Sequence, residues 1–250
     1  MNILLGMSAT APGCDDAATS LKSIESTYGI SVGARVNEVS SKIWAAEDGG
    51  VLVGQAEAEG VRLLLLGTLH QPLPGWSGAA PVDDPRASAR YLLDRYLSSG
   101  LKFLDGVVGQ YAVVVCEPAR SRILLASDPL GHRTVYWSAT AERISFSSNL
   151  YALTRLLSPT LKLDRSLEDF LLLYGFLPWG RTPFEGVTAV GKGTILDWNA
   201  GRISSHPIEL GNPWSDRFQQ GVGTDQERVV EALYEGFMLA LHERRRSRRG

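Results

Sequence analysis

Residues 186–194 read GVTAVGKGT. Gly186 and the pair Gly191-Lys192 fall one residue short of the phosphate-cradling pattern G-x-x-x-x-G-K-[ST], and Gly193 stands where a magnesium-binding hydroxyl belongs. Such a loop works by opening a helix, whose first amides and dipole face the phosphate. Here the continuation TILDWNAGRIS alternates and bends at Asn199-Ala200-Gly201, the pattern of a hairpin. The spacing therefore predicts a glycine turn into a strand and no nucleotide site. His70, His132, His206 and His242 are scattered, with no i, i+4 partner that would make a metal site. There is no G-x-S-x-G nucleophile elbow. Cys14 and Cys116 form no C-x-x-C pair and read as reduced thiols of a cytoplasmic protein. Asp83-Asp84 reads as a solvated turn that caps the helix after it. Arg244, Arg245, Arg246, Arg248 and Arg249 could meet nucleic acid or acidic lipid, but such a run is more often a solvated helix end. A net charge of -2 argues against a general nucleic-acid binder.

The elements that must position any site come next. A chain of 250 residues with 44% hydrophobic content can build one large domain or two small ones. Its first residues, MNILLGMSATAPG, lack a basic flank and a full-length apolar run, so they do not read as a secretory signal. No apolar stretch nears the ~20 residues of a membrane span, which predicts a soluble cytoplasmic protein with no membrane partner. Strands are predicted at 2–9, 61–69, 110–117, 122–128, 132–138 and 143–148, and a further β region at about 182–208. The four strands between 110 and 148 are close together and divided by turns, which favours antiparallel pairing. Helices are predicted at 15–28, 86–99, 149–157 and 164–175, the last capped by Asp164. Residues 209–223 read as a loop. A final helix at 224–242 opens with the capping box Thr224/Glu227 and carries Val230, Leu233, Phe237 and Leu241 on one face.

One region is more specific. The segments FLDGVVGQYAVVV (103–115), LLASDPLGHRTVYW (124–137), ISFSSNLYAL (144–153), LDRSLEDFLLLYGFLP (163–178) and TPFEGV (182–187) follow one another in fixed order. In that order and spacing they resemble the amino-terminal glutamine amidotransferase domain of the asparagine synthetase family. The resemblance implies an α+β, N-terminal-nucleophile fold, a four-layer αββα sandwich of two antiparallel sheets. It implies a domain at 1–208, and a linker and helix at 209–250 leading toward a synthetase domain. GVTAVGKGT falls where that family has a glycine turn into a strand.

The family's glutaminase uses an amino-terminal cysteine whose thiol attacks the glutamine amide, with its own α-amine as base. An Asn-Gly pair stabilises the oxyanion, and an Asp holds the substrate's α-amino group. Carried onto this chain, Asn2 takes the nucleophile's place and Leu66 that of the oxyanion Asn. Gly67 keeps its glycine, and Thr68 replaces a Glu. Ser88 falls at the substrate-binding Asp, with Asp83 or Asp84 as alternatives, and Arg35 is the one candidate for a glutamine-binding arginine. Gly67 and Ser88 would thus line a remnant pocket. Asn2 offers no thiol and Leu66 no donor, so no catalytic residue is assigned and no metal ligand is found.

Three functions stay open at this point. The leading expectation is a non-catalytic amidotransferase-like domain of an ATP-dependent, amide-forming enzyme, as in the branch with β-lactam synthetases and lasso-peptide cyclases. ATP and magnesium are expected only in the synthetase half, whose S-G-G-x-D-S loop does not occur in this chain. That half is the expected partner, packing on helix 224–242, and homo-oligomerisation is left open. The second is an active glutaminase exposed by processing to Cys14. The third is a free-standing binding or regulatory protein.

Overall fold

The computed structural model describes residues 3–9, 22, 25–27, 32–37, 41–46, 53–70, 84–158, 161–178, 180–210, 229–231, 233–238 and 241. The run VRLLLLGTL forms β5 (Val61–Leu69), and its apolar character has a simple cause: both faces are covered. Leu63, Leu65 and Leu69 pack with the helix α1 (Pro85–Ser99), whereas Leu64 and Leu66 pack with residues of a second sheet. Around β5 lie β4 (Val53–Ala58), β6 (Gly109–Glu117), β7 (Arg122–Ser127), β11 (Thr194–Asn199) and β12 (Arg202–Pro207). Their order is β12-β11-β7-β6-β5-β4, antiparallel throughout.

The second sheet has the order β10-β8-β9-β1-β3-β2, also antiparallel. Its strands are β1 (Ile3–Ala9), β2 (Val32–Asn37), β3 (Ser41–Ala46), β8 (Tyr136–Ala139), β9 (Arg143–Ser147) and β10 (Thr188–Ala189). Ile43, Ile144 and Phe146 face the first sheet and meet Leu64, Leu66, Val114, Leu125 and Trp198 in a common core. Gly6 of β1 makes room for the Phe146 ring, which a Cβ there would meet at 2.4 Å. The helix α2 (Leu150–Leu157), capped by the Asn149 side chain, packs on β9, β1 and β8. The layers are therefore helix, sheet, sheet, helix: the αββα sandwich that the resemblance implied.

Local chemistry explains the helix that frames the site. Asp84 caps α1 by accepting from the Arg86 amide at 2.8 Å, and Pro85 begins the helix without wasting a donor. The cap brings α1 close to β4: a Cβ at Gly54 would lie 1.9 Å from the Pro85 carbonyl oxygen.

The structure corrects several expectations. The strand predicted at 132–138 is confined to 136–139, because the residues before it gather around Asp128. The helix predicted at 164–175 divides into a 3-10 turn, Arg165–Leu167, and α3 (Glu168–Tyr174); Asp164 caps the turn through the Ser166 amide. Strands β2, β3 and β4 went unread. Of helix 15–28, residues 22 and 25–27 are described and helical, and of helix 224–242, residues 229–231, 233–238 and 241. The capping box Thr224/Glu227 and the arginine run lie outside the described residues. No described helix is long and apolar enough to cross a membrane.

Candidate functional site

β5 carries the key pair. Leu66 sits opposite Val53 of β4 and Ala112 of β6, and Gly67 opposite Tyr111. Strand alternation turns Leu66 toward the second sheet, where it is 1% exposed and packs in the core that holds Ile43 and Val53. An alkyl side chain in that core can donate no hydrogen bond. Gly67 has φ +119°, and a Cβ on it would lie 2.0 Å from the Gln110 carbonyl oxygen. Close approach of β5 and β6 thus requires glycine there, whatever chemistry the site performs.

Ser88 is buried in the second turn of α1, its amide bonded to the Asp84 carbonyl. α1 covers the face of the sheet opposite to the one Leu66 faces, so the structure does not bring those two side chains onto one face. Asp84 is engaged as a cap. Arg35 falls at the register shift between Ala34 and Val36, the extra residue of a β-bulge in β2. Asn2, Cys14 and Asp83 lie outside the described residues, and β1 begins at the residue after Asn2. Cys116 is buried within β6. Among the described residues no group of His, Cys, Asp and Glu could hold a metal ion.

Sequence reasoning missed the best-connected residue near this end of the sheet. Asp128 is fully buried and follows β7. Its carboxylate accepts from the amides of Leu130 (3.1 Å) and Arg133 (2.9 Å) and lies 3.0 Å from His132 Nδ1. Its own amide donates to Tyr111, and its carbonyl accepts from Gly131 and Gly193. One residue thereby fastens the β7–β8 loop, the GVTAVGKGT turn and β6. The signal was present as the turn chemistry of Asp128-Pro129 followed by Gly131. Tyr111, beside this loop, has its phenol pushed up by burial, then by the Asp128 and Asp105 carboxylates.

A second polar cluster holds the far end of the same sheet. Arg122 grips Asp197 with two bonds, 3.0 and 2.6 Å, and reaches Glu117 at 3.3 Å. The Tyr96 hydroxyl donates to Glu117 in a very short bond. Burial, then that bond, drives the Tyr96 phenol far above its ordinary range. The Asp197 hydrogen bonds raise the Arg122 guanidinium likewise. These charges satisfy one another and join α1, β6, β7 and β11.

No curated protein matches the chain. Among solved structures, the chain is similar to the glutamine phosphoribosylpyrophosphate amidotransferase of B. subtilis complexed with ADP and GMP. The identity is 12% and the TM-score 0.45, over 84% of this chain and 50% of that one. A structure described as the allosteric regulatory enzyme of purine biosynthesis is 13% identical, with TM-score 0.42, over 83% and 43%. The chain spans half or less of the length of both. Residues 86–208, from the first turns of α1 through β12, match the family model described as a glutamine amidotransferase domain.

Proposed function

We propose that this chain is a non-catalytic glutamine amidotransferase-like domain of an asparagine-synthetase-like, ATP-dependent amide-forming enzyme. The observation that carries the reading is Leu66, 1% exposed in the inter-sheet core at the position where the resemblance expects an oxyanion donor. Tetrahedral attack on an amide builds negative charge on oxygen, and an alkyl wall leaves that charge unsolvated. Asn2, at the nucleophile's position, has a carboxamide in place of a thiol. A carboxamide is not a nucleophile at neutral pH. Gly67 keeps the glycine of the expected oxyanion pair, while Ser88, on α1, lies on the other face of the sheet from Leu66.

In this reading ATP and magnesium serve the synthetase half, which packs on helix 224–242. Val230, Leu233, Phe237 and Leu241 are 47–65% exposed on that helix, and Tyr234 and Met238 widen the uncovered face. An apolar stripe of this kind belongs against a protein neighbour.

The test is incubation with glutamine and quantification of ammonia and glutamate, with the amino-terminus identified by mass spectrometry. The reading predicts no release above a buffer control. Release at an ordinary enzymatic rate, or a native chain beginning at Cys14, would overturn it in favour of an active glutaminase.

A further inference from the structure

Asp128 fastens its loop through main-chain bonds, yet it also holds a side chain. Its carboxylate accepts, so Nδ1 of His132 carries the hydrogen in their 3.0 Å contact and Nε2 keeps its lone pair. The holder is fixed: Asp128 is fully buried, and the Leu130 and Arg133 amides engage both its oxygens. The held ring is at the surface. The His132 side chain is 40% exposed, and its Nε2 has no hydrogen bond among the described residues.

An imidazole held in this way serves as a metal ligand, a general base or a nucleophile. A metal ion needs further donors, and no group of His, Cys, Asp and Glu among the described residues supplies them. A base needs a hydroxyl or thiol at Nε2, and none is bonded there among the described residues. Attack by Nε2 itself needs neither. The surroundings select the electrophile. Arg133 is the next residue, and exposed Lys192 belongs to the turn that Gly193 ties to the Asp128 carbonyl. Neither 129–133 nor 186–194 contains an acidic residue. An anionic group arriving at Nε2 therefore meets cations.

We propose that His132 Nε2 is a phosphoryl-accepting site, served by a small donor with a labile P–N or acyl P–O bond, and that Asp128 is its positioning residue. The Nε2 lone pair forms the new N–P bond as the donor's bond to phosphorus breaks. The leaving amine or carboxylate takes that electron pair. The ring gains positive charge while keeping its Nδ1 hydrogen, and the Asp128 carboxylate faces that charge. The turn at 191–193 runs on into a strand and offers no nucleotide cradle, so the donor is small. None of this depends on whether the glutaminase site is active.

The experiment is incubation of the 250-residue chain with potassium phosphoramidate at neutral pH. Fragmentation mass spectrometry reads the position of the phosphate, and phosphorus NMR reads which ring nitrogen carries it. The expected result is one phosphate, on His132 Nε2, formed ahead of any on His70 or on His206, whose Nε2 shares a bond with Ser204. His132→Gln should abolish it in a chain that still folds, because the ring is exposed. Asp128→Asn should slow labelling of Nε2 about tenfold or more and let phosphate appear on Nδ1. Arg133→Gln keeps the amide that Asp128 needs, so it tests the site without touching the loop. It should slow labelling and leave the isomer unchanged. Absence of phosphate at His132 in the wild type would overturn the proposal, as would labelling of His206 at the same rate. So would phosphate on Nδ1 of the wild type, or a rate unchanged in both Asp128→Asn and Arg133→Gln.

Discussion

The amide of Gly193 donates to the main-chain carbonyl of Asp128 at 3.1 Å. This contact explains the glycines of GVTAVGKGT. Gly193 has φ +58°, and a Cβ there would press on Pro129 at 3.3 Å. The stretch is then continued by β11, a strand, so no helix amino-terminus is available to hold a phosphate. Lys192→Ala should accordingly leave calorimetric titrations with ATP and magnesium unchanged and flat. Saturable heat abolished by that substitution would reverse the conclusion.

Asp128 should be among the most sensitive positions of the sandwich. Asp128→Ala strands the Leu130 and Arg133 amides and frees His132, so a loss on the order of 3 kcal/mol is expected in urea unfolding. A loss below about 1 kcal/mol would mean the loop holds its shape without the carboxylate.

Gly67→Ala should destabilise the chain by about 2 kcal/mol or more, since the methyl group meets the Gln110 carbonyl in a backbone conformation that favours glycine. The effect belongs to strand packing. It should therefore appear in thermal unfolding with no glutamine present.

Arg122→Ala leaves the buried Asp197 without its cation and Glu117 with the exposed Arg120 alone, and a loss of roughly 3 kcal/mol follows. Tyr96 adds a pH dependence. Its phenol is raised in the fold by burial and by Glu117, so the neutral form is the one the fold favours. That contribution is complete below about pH 10, the ordinary phenol value, and is lost as pH rises toward the folded-state value. Urea midpoints should fall more steeply above about pH 10 in the wild type than in Tyr96→Phe. Parallel curves would show that Tyr96 does not carry the alkaline loss.

The sequence was most legible where an element announces itself by its own residues. β5, β6 and β7 are apolar runs bounded by turn residues, and α1, α2 and the 3-10 turn before α3 begin at visible caps, Asp84, Asn149 and Asp164. β4 was hidden because its signal belongs to a neighbour: Gly54, Ala56 and Ala58 are small where α1 crosses them, which removes the bulky alternation of a half-buried strand. The extent of β8 depended on Asp128, whose bonds run to residues near and far in sequence. At the candidate site, the residue types at Asn2 and Leu66 could be read directly. That Leu66 is sealed in the inter-sheet core, on the other face of the sheet from α1 and Ser88, needed strand register.

The most direct test of lost chemistry on a kept fold is ammonia release from glutamine by Asn2→Cys, with removal of Met1 verified by mass spectrometry. This variant restores the thiol and its α-amine while leaving Leu66 in place. The account predicts no useful turnover, and a gain of ~10²–10³ when Leu66→Asn is added in a variant that still folds, because one oxyanion donor contributes about that much. Turnover by Asn2→Cys alone at the rate of an ordinary amidotransferase would contradict it, showing an intact oxyanion site and a wrong assignment of Leu66.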